Sequence, residues 1–132
     1  MSMTLNLEVA SGVSLDDIKT VLTSLKCADL SESDHGLTAV LPDTNATVTA
    51  KTDIDNTSVL TEDIEDADWK VGLRMYFDVD PTRANALNDV RKFVTHLSEQ
   101  TPFEFALSFQ YESLYAKRDN AGLTLSEDFL SS

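Results

Sequence analysis

Residues 69–79 read WKVGLRMYFDV, and apolar and polar side chains alternate along all eleven positions. Trp69, Val71, Leu73, Met75, Phe77 and Val79 share one parity; Lys70, Gly72, Arg74, Tyr76 and Asp78 share the other. A strand turns successive side chains to opposite faces, so a period of two held this long predicts a central strand with one buried face. The most acidic stretch of the chain, residues 53–68, comes immediately before it. Asp80 and Pro81 come immediately after it, as a helix cap and a first helical residue. The chain is therefore expected to pass from an exposed acidic segment into the core at Trp69.

The flanking sequence supplies the remaining elements. Leu5, Leu7 and Val9 alternate over residues 4–9 and predict a strand that Gly12 ends. Ser14 is a good N-cap, Asp16 and Asp17 suit the first turn, and Leu15, Ile18, Leu22 and Leu25 recur at helical spacing. Residues 29–36, DLSESDHG, read as a polar loop. Residues 37–41 and 46–51 form a predicted hairpin around Pro42 and Asp43. Residues 52–68 are compatible with a loop, a short edge strand or one helical turn starting at Thr61. Their apolar members Val59, Leu60 and Ile64 predict that the segment is pinned to the body. Leu87, Val90, Val94 and Leu97 mark a second helix after Pro81. Phe103, Phe105, Leu107, Phe109 and Tyr111 mark a second strong strand, which residues 114–117 continue or bend. Residues 119–122 signal a turn, residues 123–125 a last short strand, and residues 126–132 a fraying end. The expected fold is a single α+β domain spanning residues 1–132, in the order β-α-β-β-β-α-β-β. It is a mainly antiparallel sheet with two helices packed on one face. Its other face is expected to be partly solvated and open to binding.

With 132 residues, 42% of them apolar, the chain can bury a core without staples. Cys27 is the only cysteine, which excludes an internal disulfide and a cysteine zinc site. No stretch has the charged and apolar pattern of a signal peptide, and none approaches the ~18 apolar residues that span a bilayer. The expectation is a cytoplasmic protein, a monomer or weak homodimer.

Charge is the strongest compositional constraint: 23 Asp and Glu against 10 Lys and Arg, net −13. Residues 1–68 carry −11 of it. Such a field repels nucleic acid and anionic membranes and attracts cations and basic proteins. The candidate contact residues are Asp53, Asp55, Glu62, Asp63, Glu65, Asp66 and Asp68, joined by Asp29, Glu32 and Asp34. Asp53, Asp55 and Thr57 open like a calcium loop. The pattern then fails, with Ser58 where the turn needs Gly and Ile64 where a bidentate Glu is needed. A solvated acidic face, a loose cation site and a dock for a basic protein all fit this segment, and closely spaced carboxylates suit the last by standing in for phosphates. Cys27, His35 and His96 have no spacing that marks a thiol–imidazole pair, the serines lack a nucleophile-elbow context, and the four glycines form no phosphate loop. No catalytic residue, metal site or cofactor is expected, and the chain reads as a non-enzyme.

Residues 105–123, FALSFQYESLYAKRDNAGL, resemble the closing strands of bacterial immunity proteins, the partners of contact-dependent and other polymorphic toxins. The preceding DVDPTRANALNDVRKFV, residues 78–94, is similar to the helix of the same small α+β scaffold. The resemblance implies a non-enzymatic inhibitor of one cognate toxin domain. It carries over no contact residue. A nuclease toxin with a basic substrate groove would complement the acidity. A small acidic adaptor or secretion-effector chaperone is the alternative, marked by a larger apolar patch and by dimerisation.

Overall fold

The computed structural model describes residues 3–64 and 67–130. Strand β1 (Met3–Ala10) leads into helix α1 (Leu15–Ser24), then strands β2 (Ala28–Glu32), β3 (Gly36–Val40), β4 (Thr47–Lys51) and β5 (Val71–Val79). Helix α2 (Asn88–Gln100) precedes β6 (Phe105–Phe109), β7 (Ser113–Asp119), β8 (Gly122–Leu125) and the short α3 (Glu127–Leu130). All eight strands join one antiparallel sheet in the order β2-β3-β4-β5-β1-β6-β7-β8. The alternating stretch is central, though it enters the sheet at Val71, with Trp69 half-buried ahead of the strand. Its partner β1 lies against it from Met3 opposite Val79 to Ala10 opposite Val71, with a bulge at the last step.

The expected α+β class and one-sided helix layer are present. Leu5, Leu7, Val9, Val48, Ala50, Leu73, Met75, Phe77, Phe105 and Leu107 form the apolar sheet face. Ile18, Val21 and Leu22 of α1 and Val90, Phe93, Val94 and Leu97 of α2 cover it. Phe77 and Phe93 meet edge to face at 5.4 Å between ring centres. The start of α1 is set locally. Ser14 Oγ accepts from the Asp17 amide at 3.1 Å, and Asp17 Oδ2 accepts from the Ser14 amide at 2.9 Å.

Four local readings change. Most of β2, an edge strand paired on one side only, falls in the expected 29–36 loop; Leu30 alone of its residues packs against the core, and the others are exposed, in keeping with their mainly polar character. Its ladder is broken by a bulge at Asp29, whose φ is 52°. The second helix begins at Asn88, not after Pro81, because Asp80 Oδ1 takes the amide and hydroxyl of Thr82 and closes a local turn instead. Asn85, at φ 57°, then separates that turn from α2. Gln110 and Tyr111, at φ 52° and 64°, reverse the chain after β6, so residues 113–119 form a separate strand. The expected frayed end instead forms α3 at 127–130, with the Phe129 ring fully buried 5.6 Å from Tyr115 and beneath Arg91. Ser131 and Ser132 lie outside the described residues. No helix among the described residues is long and apolar enough to cross a membrane.

Candidate functional site

The face of the sheet away from the helices carries the even residues of the two central strands. In register across β4, β5, β1 and β6 stand Lys51, Arg74, Glu8 and Ala106, and beside them Thr49, Tyr76, Asn6 and Ser108. Glu8 and Arg74 therefore face each other across the central pair, and form an ion pair at 3.1 Å with side-chain exposures of 0% and 6%. A pair buried this deeply costs desolvation and survives only when its remaining hydrogen-bonding capacity is met.

The acidic segment supplies most of that capacity, and leaves Arg74 Nε as the buried side-chain donor without a hydrogen-bond partner among the described residues. Leaving β4, the chain is held by the Thr52 amide on the His35 carbonyl at 2.9 Å. It then crosses the sheet diagonally as a strap. Arg74 Nη1 donates to the Asn56 carbonyl, and Arg74 Nη2 to the Ser58 carbonyl at 2.7 Å. Glu8 Oε2 accepts the Leu60 amide at 2.8 Å. Glu8 Oε1 accepts both the amide and the hydroxyl of Thr61, at 3.0 and 2.6 Å. Further on, the Glu62 amide donates to the Tyr111 carbonyl at 2.7 Å, and Asp63 Oδ2 accepts the Leu114 amide at 2.8 Å. The Thr57 carbonyl also takes the Val71 amide, tying the strap to the first residue of β5. One buried carboxylate and one buried guanidinium thus do for an irregular segment what a ladder does for a strand.

The second face is partly solvated, as expected, with Thr47, Lys51 and Asp78 exposed, but its centre lies under the strap, where Asn6, Glu8, Thr61, Arg74 and Ser108 are buried. Of the three conformations compatible with the strap's sequence, the chain adopts a loop, with a single turn at 61–64 closed by the Ile64 amide on the Thr61 carbonyl. Beside the strap, burial and the neighbouring Tyr76 phenol push the Tyr111 hydroxyl well above the ordinary phenol range.

The ten sequence-predicted contact residues do not form one patch. Asp53, Asp55, Glu62, Asp63 and Asp68 lie exposed along the strap and its return. Glu65 and Asp66 lie outside the described residues. Asp63 and Asp68 border a concavity of about 250 Å³ that also contains Trp69, Glu104, Lys117 and Arg118. Glu32 and Asp34, at the β2–β3 turn, line a shallow concavity of about 630 Å³ at the opposite edge, together with Asp16 and Thr52. The Thr52–His35 hydrogen bond places Asp34 next to the start of the strap. Asp29 sits apart at the β2 bulge. Glu32 is paired with Lys19 at 3.3 Å, whereas Asp53, Asp55, Glu62 and Asp68 have no cationic partner among the described residues. Nor does any group of three acidic, histidine or cysteine side chains among them converge as a metal site would.

Sequence reasoning missed the two residues that make the strap a defined surface. Glu8 and Arg74 each stand on the polar parity of an alternating strand, where a charge reads as solvated. Their opposite signs were the available signal, but their pairing needs the β1–β5 register, which joins residues 66 positions apart.

No protein-family model, curated protein or solved structure matches this chain.

Proposed function

We propose that this chain is an immunity protein that binds and neutralises a cognate toxin domain, docking a basic surface of the toxin on the acidic strap. The observation that carries the reading is the contrast between the strap's two sides. Its backbone is fixed from below by Glu8 and Arg74, while Asp53, Asp55, Glu62 and Asp68 stand exposed without cationic partners among the described residues. Carboxylates on an already ordered backbone avoid part of the ordering cost that a flexible acidic loop meets on binding. Their uncompensated field steers a basic partner and speeds encounter at low salt. A nuclease toxin fits this surface best, because its substrate groove is basic and its blockade needs no chemistry from the inhibitor. The protein acts in the cytoplasm, without cofactor or nucleic acid, as a monomer or weak homodimer.

The test begins with affinity capture from the native lysate at low salt, followed by elution in a salt gradient. One stoichiometric basic protein, lethal when expressed alone and harmless when co-expressed with this chain, is the expected result. Several unrelated clients would point to a chaperone instead. With that protein purified, the triple variant Asp53→Lys, Asp55→Lys, Glu62→Lys should lose at least about tenfold in affinity, ~1.4 kcal/mol. Unchanged binding would remove the strap from the interface.

A further inference from the structure

Among the large hydrophobic side chains of the described residues, Leu60 stands out at 40% exposed. A solitary exposed leucine is ordinary on a protein surface. What sets this one apart is its position. It lies in the middle of the strap, and its amide is one of the donors to the fully buried Glu8. The next residue, Thr61, is itself buried and spends both its amide and its hydroxyl on the same carboxylate. Val59 and Ile64 are half-buried, so the strap tucks its other apolar side chains partly away and leaves Leu60 out. Around it along the strap stand the exposed carboxylates of Asp55, Glu62 and Asp63. An exposed leucine flanked in sequence by carboxylates, with its own amide held on Glu8, has the makings of an interface anchor.

Resting on the proposed docking function, we infer that Leu60 is the central anchor of the interface, and that the Glu8–Thr61 clasp is the positioning device that presents it. The complementary partner surface is an apolar socket ringed by lysine or arginine side chains. The acidic rim gives the approach its speed and salt dependence; Leu60 gives the complex its lifetime.

The experiment titrates the basic protein recovered by salt elution against the full chain and three sets of variants, following affinity, its salt dependence and backbone amide exchange. Leu60→Ala trims a side chain that is 40% exposed and leaves the Leu60 amide on Glu8, so the fold should hold. Affinity is expected to fall about tenfold, mostly through faster dissociation, with the salt dependence unchanged. Thr61→Val deletes one hydroxyl and keeps the Glu8–Arg74 pair. It should speed exchange at the Leu60 and Thr61 amides and weaken binding severalfold, whereas Thr61→Ser should restore both. If the triple charge reversal weakens binding while Leu60→Ala does not, the anchor is refuted and the docking surface stands. If neither changes binding, both are refuted. Faster exchange in Thr61→Val with unchanged affinity would overturn the positioning role of the clasp.

Discussion

Asp89 illustrates how much a single side chain can decide once it leaves the solvent. It occupies the second position of α2 and is 2% exposed. Its Oδ2 accepts the amides of Asp43 and Thr44, at 3.1 and 2.7 Å, and the Thr44 hydroxyl at 2.7 Å. The carboxylate therefore caps the β3–β4 turn rather than its own helix, and locks the hairpin to the helix layer. Glu8 does the same for the strap, with two oxygens shared among three strap donors and Arg74. Charge-assisted hydrogen bonds of this kind are the costly ones to remove, because the orphaned donors stay buried. Asp89→Ala is expected to cost about 2–4 kcal/mol. Asp89→Asn, which keeps an acceptor oxygen, should cost less. The check is the urea midpoint at unchanged slope; a loss below ~0.5 kcal/mol for the alanine variant would mean that water replaces the carboxylate.

Elements here are shaped as much by close approach as by propensity. Gly72 lies near the start of β5, where the β1 bulge brings Ser11 against it. A Cβ at Gly72 would sit 2.6 Å from Ser11 Cα, a backbone atom that cannot swing aside. Gly72→Ala should therefore destabilise by roughly 1–3 kcal/mol, as overpacking does. The damage should be local: the Ser11 amide, bonded to the Lys70 carbonyl at 2.7 Å, should exchange faster than the amides of residues 5–7. Uniform acceleration along β1 would show that the bulge is not the weak point. The strap belongs to a different class of element. It has no ladder of its own, and its order comes from side chains on strands it does not follow in sequence.

The charge of −13 acts on the molecule as a whole. Four ion pairs are formed among the described residues, so most of the acids repel one another uncompensated. Screening shortens from ~30 Å at 0.01 M salt to ~10 Å at 0.1 M. Added salt should therefore stabilise the free protein, raising its melting midpoint by several degrees, about 1 kcal/mol of relieved repulsion. The same salt should weaken partner association, because there the charges attract. Opposite salt responses of folding and binding, measured by melting scans and by titration, separate self-repulsion from docking. A melting midpoint that does not move with salt would mean that the acids are too far apart to strain the fold.

Periodicity alone determined which residues face the core: the odd positions of β1 and β5, and the apolar stripes of α1 and α2. Burial is a local consequence of alternation, and alternation is written in the chain. The Ser14 cap was equally legible, since the amide it accepts from lies three residues on; the return bond from Asp17 is what the structure adds. The acidity of residues 53–68 was legible as well, and it is the ground on which a basic partner is proposed. What the chain could not disclose was where that segment lies. Its path depends on Glu8 and Arg74 meeting across two strands, on Tyr111 offering a carbonyl from the β6–β7 turn, and on Leu114 finding Asp63. Those contacts join residues 49 to 66 positions apart and exist only after the sheet has paired; the strap's order and the exposure of Leu60 are therefore properties of the tertiary structure.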